Sequence, residues 1–415
     1  MQHKKTTFGR WASRLALTLA TAGLLTACGG GSDAGDGDPT GNADAATRTR
    51  IESVVREAMA AHHMRASIVR ITVDGQNVYT GAMGESTPGV PATPDMHFRA
   101  GSFGFTLMGQ IFAKLADQPV PRISLDDKLA KWMPELPRAD QVSLRNLLNM
   151  TSGYPDYVYQ PVTLDILYND PYHRFTTDQL IEIGVSEPEL FEPGTNWHYS
   201  HTNYAILGKV LERITGKPLD AVMQEYALGP MGLKATSGNN GTPAIPEPVL
   251  HSFSSERREV LKIPDGTPFM EDATFWDPSW TTASGAVLTS NIHDISRTME
   301  IVGSGAQVSR EMYQQQVGLN LVDFGEKTDR CRDCRHLTAE FSYGLGVTLR
   351  GPWLAQTKNF AGSGVSSLYL PSKRLAISVA TTYLAGAYKD NGDFLEASNA
   401  MLKSLAEVMA LGNGP

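Results

Sequence analysis

An α+β fold is predicted: one antiparallel sheet assembled from both chain ends, flanking helices, and an inserted, mainly helical lobe. Three observations predict it. Near the N-terminus, SIVRITVDGQNVYTGAMGE alternates with period two around Asp74-Gly75, the pattern of a β-hairpin. Near the C-terminus, YGLGVTLR, the approach to NFAGSG, SSLYLP and RLAISVATTY read as further strands. Between them, from Ser124 to about Ser290, the text is mostly helical, broken by Pro/Gly loops such as FEPGTNWHYS and NNGTPAIPEP. A cleft between two such lobes is where a site is expected.

The elements follow in order. Residues 1–27 have the layout of a secretory signal: Lys4, Lys5, Arg10 and Arg14 form a basic start, and Leu15 to Leu25 a short apolar run. That run ends in LTAC, which resembles the lipobox of bacterial lipoproteins and makes Cys28 the expected lipidation site. Gly29, rather than Asp, follows it, which favours an outer-membrane anchor facing the periplasm. The membrane is then reached by the lipid alone. Residues 28–46 form a Gly/Asp-rich tether too poor in apolar groups to fold. The folded domain runs over 47–412, with a sheet lobe at about 47–115 and 285–412 and a helical lobe at about 116–284. Thr47 to Met64 carries apolar residues at helical spacing. The stretch HFRAGSFGFTLMGQIFAKLAD reads as a strand end, a Gly turn and a helix opening on Ser102. Its core face is Leu107, Met108, Ile111, Phe112 and Leu115. A last helix is expected from Phe394 to Met409.

Composition narrows the function. Of 415 residues, 41% are hydrophobic, and no second long apolar run follows the signal, so the mature chain is expected to be globular. The formal charge is −8, and removal of the signal's four cations takes it to −12. That balance argues against nucleic acid, whose phosphates need clustered Lys and Arg. No cofactor and no metal are expected. Cys331 and Cys334 in TDRCRDCRHL predict a local disulfide, since zinc needs four ligands and only His336 is near. His62, His63, His173 and His251 show no metal-ligand spacing. No internal repeat is present, and nothing in the sequence sets the oligomeric state.

Several segments together carry a likeness. FRAGSFGFT, VSLRNLLNMTSGYPDY, FEPGTNWHYSHTNYAILGKVLERITGKPL, ALGPMGL, DPSWTTASGAVLTSNIHDI and NFAGSGVSSLYLPSKRLAISV stand in an order that resembles the penicillin-recognising serine hydrolases. That family comprises class C β-lactamases, DD-carboxypeptidases and their esterase relatives, and the likeness spans about Arg50 to Leu405. It implies a β-lactamase/transpeptidase-like fold and acyl-serine chemistry on a peptidoglycan peptide, a β-lactam or a small ester.

The family's catalytic motifs are incomplete here. Its Ser-x-x-Lys, in which one helical turn brings a partly neutral amine to the serine, reads Ser102-Phe103-Gly104-Phe105. Its Tyr-x-Asn reads Tyr199-Ser200-His201. Its cation-x-Gly on the strand edging the cleft is matched at Phe360-Ala361-Gly362. Phenylalanine has no titratable atom, so the base at 105 is lost, and loss of a general base costs roughly 10²–10⁴ in rate. The resemblance implies Ser102 as nucleophile, Tyr199 as proton relay and Gly362 and Ser363 at the cleft edge. An oxyanion hole is expected from the Ser102 N–H and a strand N–H near Ser363 or Gly364. Phe105 and Phe360 are expected to line the cleft and face each other as an apolar plug. His201, in the place of the bridging asparagine, is either an ordinary loop histidine or a substitute base suited by an imidazole's near-neutral titration; as a base it must come within about 3–4 Å of the Ser102 hydroxyl. The alternative is an inactive relative that binds cell-wall peptide or a protein partner. For Ser102 itself, the structural alternative is a plain helix cap.

Overall fold

A computed structural model describes residues 40–238, 242–318, 320–393 and 397–410. The signal, Cys28 and most of the tether lie outside them, as do the residues from which the last helix was expected to start. The strands are β1 (Met64–Val73), β2 (Gln76–Thr87), β3 (Val90–Pro91), β4 (Phe98–Arg99), β5 (Ser237–Gly238), β6 (Phe253–Ser254) and β7 (Glu271–Asp272). They continue with β8 (Leu288–Ser290), β9 (Ser342–Tyr343), β10 (Thr348–Arg350), β11 (Trp353–Phe360), β12 (Ser363–Leu370) and β13 (Leu375–Tyr383). The main sheet has eight strands in the order β3-β2-β1-β13-β12-β11-β10-β9.

The seam between chain ends is β1 against β13, antiparallel, from Met64 opposite Tyr383 to Val73 opposite Leu375. The sheet's two faces have separate cores, as the period of two requires. On one face Val69 and Ile71 of β1 and Ile377 and Val379 of β13 pack with Ile51, Val55, Met401 and Leu405. These come from α1 (Ala45–Ala61) and the last helix, Ser398–Ala410. On the other face Ile68, Leu354, Val365 and Ala380 pack with Leu107, Met108, Ile111 and Phe112. Those four belong to α2 (Phe103–Ala116), of whose 14 residues only Lys114 and Ala116 are not buried. A helix apolar all round belongs inside a molecule, and α2 is the pillar that carries Ser102.

The structure shortens the tether. Asn42 and Ala43 donate N–H groups to the carbonyls of Asn77 and Val78 on β2, and Asp44 caps α1 at its N-terminus. These backbone groups find partners although the segment is polar, so order begins before residue 47. A second departure matters more. The strand expected only as an approach to NFAGSG begins at Trp353, and its alternation places Gln356, Lys358 and Phe360 on one face.

The middle of the chain is helical with loops. It contains α3 (Leu144–Leu148), α4 (Pro161–Asn169), α5 (Thr177–Gly184) and α6 (His201–Thr215). The small pairings β4-β8-β5 and β6-β7 join it to the sheet region. No helix among the described residues is long and apolar enough to cross a membrane.

Candidate active site

Ser102 stands at the turn into α2 with φ −64° and ψ −5°, and its side chain caps nothing. Its hydroxyl is therefore not spent on the helix end, where a capping serine usually bonds the N2 or N3 amide. It accepts a hydrogen bond from the Tyr199 hydroxyl at 3.3 Å. Gly101 before it has φ +53°, and a Cβ there would lie 2.3 Å from Lys358 Cγ. Only glycine meets both demands. The turn that presents Ser102 thus also seats a lysine stem.

A pocket opens beside Ser102, lined among others by Arg99, His201, Trp280, Lys358, Asn359 and Phe360. Phe105 is one turn behind it and 1% exposed. Its ring stacks on Tyr204 at 4.0 Å between centroids and 14° between planes, and meets the edge of His201 at 5.5 Å. Phe360 packs instead on Trp280 at 4.3 Å and on Trp276 at 6.1 Å. The two phenylalanines do not form a facing pair: Phe105 is not among the residues lining the pocket and packs on Tyr204 and His201, whereas Phe360 lines it and joins tryptophans from the 276–280 loop. Offset and edge-on aromatic contacts of this kind are worth about 0.5–1.5 kcal/mol each beyond area burial.

Burial pushes the Tyr199 phenol well up, against a smaller opposing effect of its bond to Ser102. The phenols of Tyr157, Tyr204 and Tyr343 are raised by the same desolvation. Tyr199 therefore keeps its proton at neutral pH and acts on Ser102 as a donor. It cannot collect the serine proton in that state.

His201 is the first residue of α6, and its ring is turned to Asp156. Its Nδ1 lies 2.9 Å from Asp156 Oδ2, and its backbone N–H donates to Oδ1 at 3.2 Å. Asp156 Oδ1 also accepts from the Val158 N–H at 3.1 Å. No direct hydrogen bond joins His201 to Ser102 among the described residues. The first turn of α6 is fixed to the 150–157 loop by Thr202 Oγ1 to the Pro155 carbonyl at 2.6 Å and Ser152 Oγ to Asn203 Oδ1 at 2.6 Å.

The sheet wall meets the pocket along β11. Gly362 (φ +70°) and Ala361 (φ +50°) form the β11–β12 turn, and a Cβ on Gly362 would lie 1.9 Å from the Phe253 carbonyl oxygen. Gly362 and Ser363 are not among the residues lining the pocket; Lys358, Asn359 and Phe360 are. The cation thought missing is present as Lys358, two residues before the expected place. Its Nζ donates to the Phe360 carbonyl at 3.0 Å, the Ser363 carbonyl at 3.3 Å and Ser363 Oγ. Glu256 approaches the same turn. Burial raises its pKa, while Ser254, the Lys358 charge and the Gly362 and Ala361 amides pull the other way. Arg99 also borders the pocket, and desolvation takes it down to about 10, still cationic at neutral pH.

Two polar residues escaped sequence reasoning. Lys358 was hidden by starting its strand too late; period two from Trp353 finds it on the face of Phe360. Asp156 follows the TSG turn as the lone acid in SGYPDYVY, a signal that only its partner makes meaningful. Elsewhere, Cys331 and Cys334 are joined by a disulfide with Cα atoms 5.2 Å apart. Among the described residues no group of three or more His, Cys, Asp or Glu side chains is placed to hold a metal.

The family pattern described as Beta-lactamase matches residues 51–399. The chain is 25% identical over 291 residues to Esterase EstB of Burkholderia gladioli, covering 64% of this chain and 73% of the esterase. It is 25% identical to a putative D-alanyl-D-alanine carboxypeptidase of Salmonella enteritidis PT4, covering 55% of this chain and 54% of that protein. Among solved structures, a D-stereospecific amidohydrolase from Streptomyces sp. superposes with TM-score 0.68 at 22% identity, over 90% of this chain and all (100%) of that one. D-amino acid amidase from Ochrobactrum anthropi SV3 superposes with TM-score 0.71 at 18% identity, over 89% and 100%. At those identities the structures speak for the fold.

Proposed function

The chain belongs to the Beta-lactamase family of serine hydrolases, and from that premise we propose that Ser102 is an acyl-accepting nucleophile for small activated esters. The lysine-dependent route to peptide and β-lactam bonds is closed. The observation that carries this reading is the pairing at Ser102: a hydroxyl free of capping duty that accepts from a protonated Tyr199, with an aromatic stack where an amine would stand. Activated esters have good leaving groups and need no proton delivered to the departing oxygen. Peptide bonds need the full base, whose loss costs roughly 10²–10⁴ and, within a nucleophile unit, about 10⁶.

The same reading places the protein on a lipid anchor at Cys28, facing the periplasm, because LTAC directly follows the apolar run. Replacing Cys28 by serine then releases the protein from membranes; unchanged fractionation counts against the anchor.

A second reading, a binding protein for cell-wall peptide or a partner, is favoured by the same Tyr199 contact if it simply quenches the hydroxyl. Hydrolysis of p-nitrophenyl acetate by the intact protein and by Ser102→Ala separates the two. Turnover lost in the variant, with an acetyl mass on Ser102 in the parent, supports the hydrolase. Turnover equal in both favours the binding protein.

A further inference from the structure

We infer that Asp156 and His201 form a carboxylate–imidazole base unit for Ser102, standing in for the absent lysine; this rests on the reading of Ser102 as nucleophile. The geometry points to it in three steps.

First, the ring's tautomer is set. An ionised carboxylate only accepts hydrogen bonds, and Asp156 Oδ2 lies 2.9 Å from Nδ1. The ring hydrogen therefore sits on Nδ1, and Nε2 carries the basic lone pair. Asp156 is held for this duty: its side chain is 2% exposed, and Oδ1 takes the N–H groups of Val158 and His201. A carboxylate so enclosed cannot swing to solvent and leave the ring free to turn.

Second, the imidazole borders the right space. His201 and Ser102 line one pocket, and the His201 ring lies 5.3 Å from the ring of Tyr199, whose hydroxyl touches Ser102. Phe105 and Tyr157 hold the imidazole from two further sides, at 5.5 and 6.1 Å. The aromatic at 105 thus occupies the former base position and also braces its replacement.

Third, the serine proton needs a taker. Tyr199 donates to Ser102 Oγ, so the serine's own hydrogen is the one to be given away, and Tyr199 keeps its proton at neutral pH. Of the other pocket groups, Arg99 is a donor only and the Lys358 ammonium is engaged by the β11–β12 turn. The transfer requires Nε2 to reach Ser102 Oγ across the pocket that both line, a contact that tightens when substrate binds.

The reaction balances with these groups alone. Ser102 Oγ bonds the ester carbonyl carbon as its proton passes to Nε2. The carbon–alkoxide bond then breaks, and the Nε2 proton leaves with the alcohol. Water attacks the acyl-serine, gives a proton to Nε2, and that proton returns to Ser102 as the acid departs. Asp156 is a positioning residue throughout: it fixes the tautomer and faces the imidazolium.

Intact protein, His201→Ala, Asp156→Asn, Asp156→Glu and Ser102→Ala are compared on p-nitrophenyl acetate, with melting curves as folding control. His201→Ala is expected to lose about 10²–10⁴ in kcat/KM, and Asp156→Asn at least about 100-fold. Asp156→Glu, which keeps a charged acceptor, recovers part of that loss. Nitrogen-15 NMR of the His201 ring in the intact protein is expected to show Nδ1 protonated and Nε2 bare. Should an Asp156 variant fail to fold, that spectrum still decides, because an Nε2-protonated ring overturns the proposal. A folded His201→Ala with unchanged turnover also overturns it, while Ser102→Ala inactivity would leave the nucleophile standing. Turnover surviving Ser102→Ala instead removes the underlying reading.

Discussion

The two walls of the Ser102 pocket handle charge in opposite ways. On the helical side the buried Phe105 ring stands one turn from Ser102, stacked on Tyr204 in a cluster of raised phenols. On the sheet wall a lysine remains, but its stem is pressed on Gly101 and its ammonium is spent on the β11–β12 turn. An amine with no acceptor would be costly among the tyrosines, whereas an apolar ring of matching shape is not. The lysine on the sheet wall is tolerated because three oxygens and the nearby Glu256 receive it. Whether a cation persists in a buried wall is thus decided by the acceptors around it.

That contrast can be broken from either side. The largest effect is expected at Phe105. Phe105→Ala opens a cavity under α2 and should lower unfolding free energy by about 3–5 kcal/mol, read from urea melts. Phe105→Lys should destabilise the protein by a comparable amount, because the amine meets the Tyr204 ring and not a prepared acceptor. A stable, peptide-cleaving Phe105→Lys variant would show that the wall still accommodates the old base.

A smaller effect is expected at Lys358. Lys358→Met keeps the stem's packing on Gly101 but strips the ammonium from the Phe360 and Ser363 oxygens. The expected loss is about 1–3 kcal/mol, with ester turnover changed less than about tenfold. A loss of turnover as large as that of His201→Ala would move the base from the helical wall to the sheet wall.

The smallest effect near neutrality belongs to the tyrosine cluster, and it appears only in alkali. Tyr157, Tyr199, Tyr204 and Tyr343 have folded pKa values raised by burial. Their contribution to stability is complete below the ordinary phenol value of about 10. It is lost as pH rises from there toward the folded values, since the unfolded chain ionises first. Melting temperature should be level through neutral pH and fall above about pH 10, with phenolate absorbance rising in the same step.

The fold was legible because it repeats simple periods: alternation around Asp74-Gly75 and across 375–383, and helical spacing in α2. The nearness of Ser102 and Tyr199 was legible because local order ties both to recognisable segments. Lys358 was not, since it stands two residues before the motif match at Phe360 and carries no signal of its own until β11 is seen to begin at Trp353. Asp156 was not, since a lone carboxylate has no meaning until the fold brings it 2.9 Å from an imidazole 45 positions away. Contacts between loops and helix starts leave no period in the sequence. The apolar plug erred for a related reason: both phenylalanines were located near the cleft, but which rings they meet depends on Tyr204 and on Trp276 and Trp280.

The most direct test is the rate of covalent labelling of Ser102 by a fluorophosphonate, followed by intact mass and peptide mapping, in the parent protein and in His201→Ala. A single adduct on Ser102 in the parent, formed about 100-fold or more slowly without the imidazole, is the predicted result. No adduct in the parent, or equal labelling in both, would contradict an active serine driven by His201.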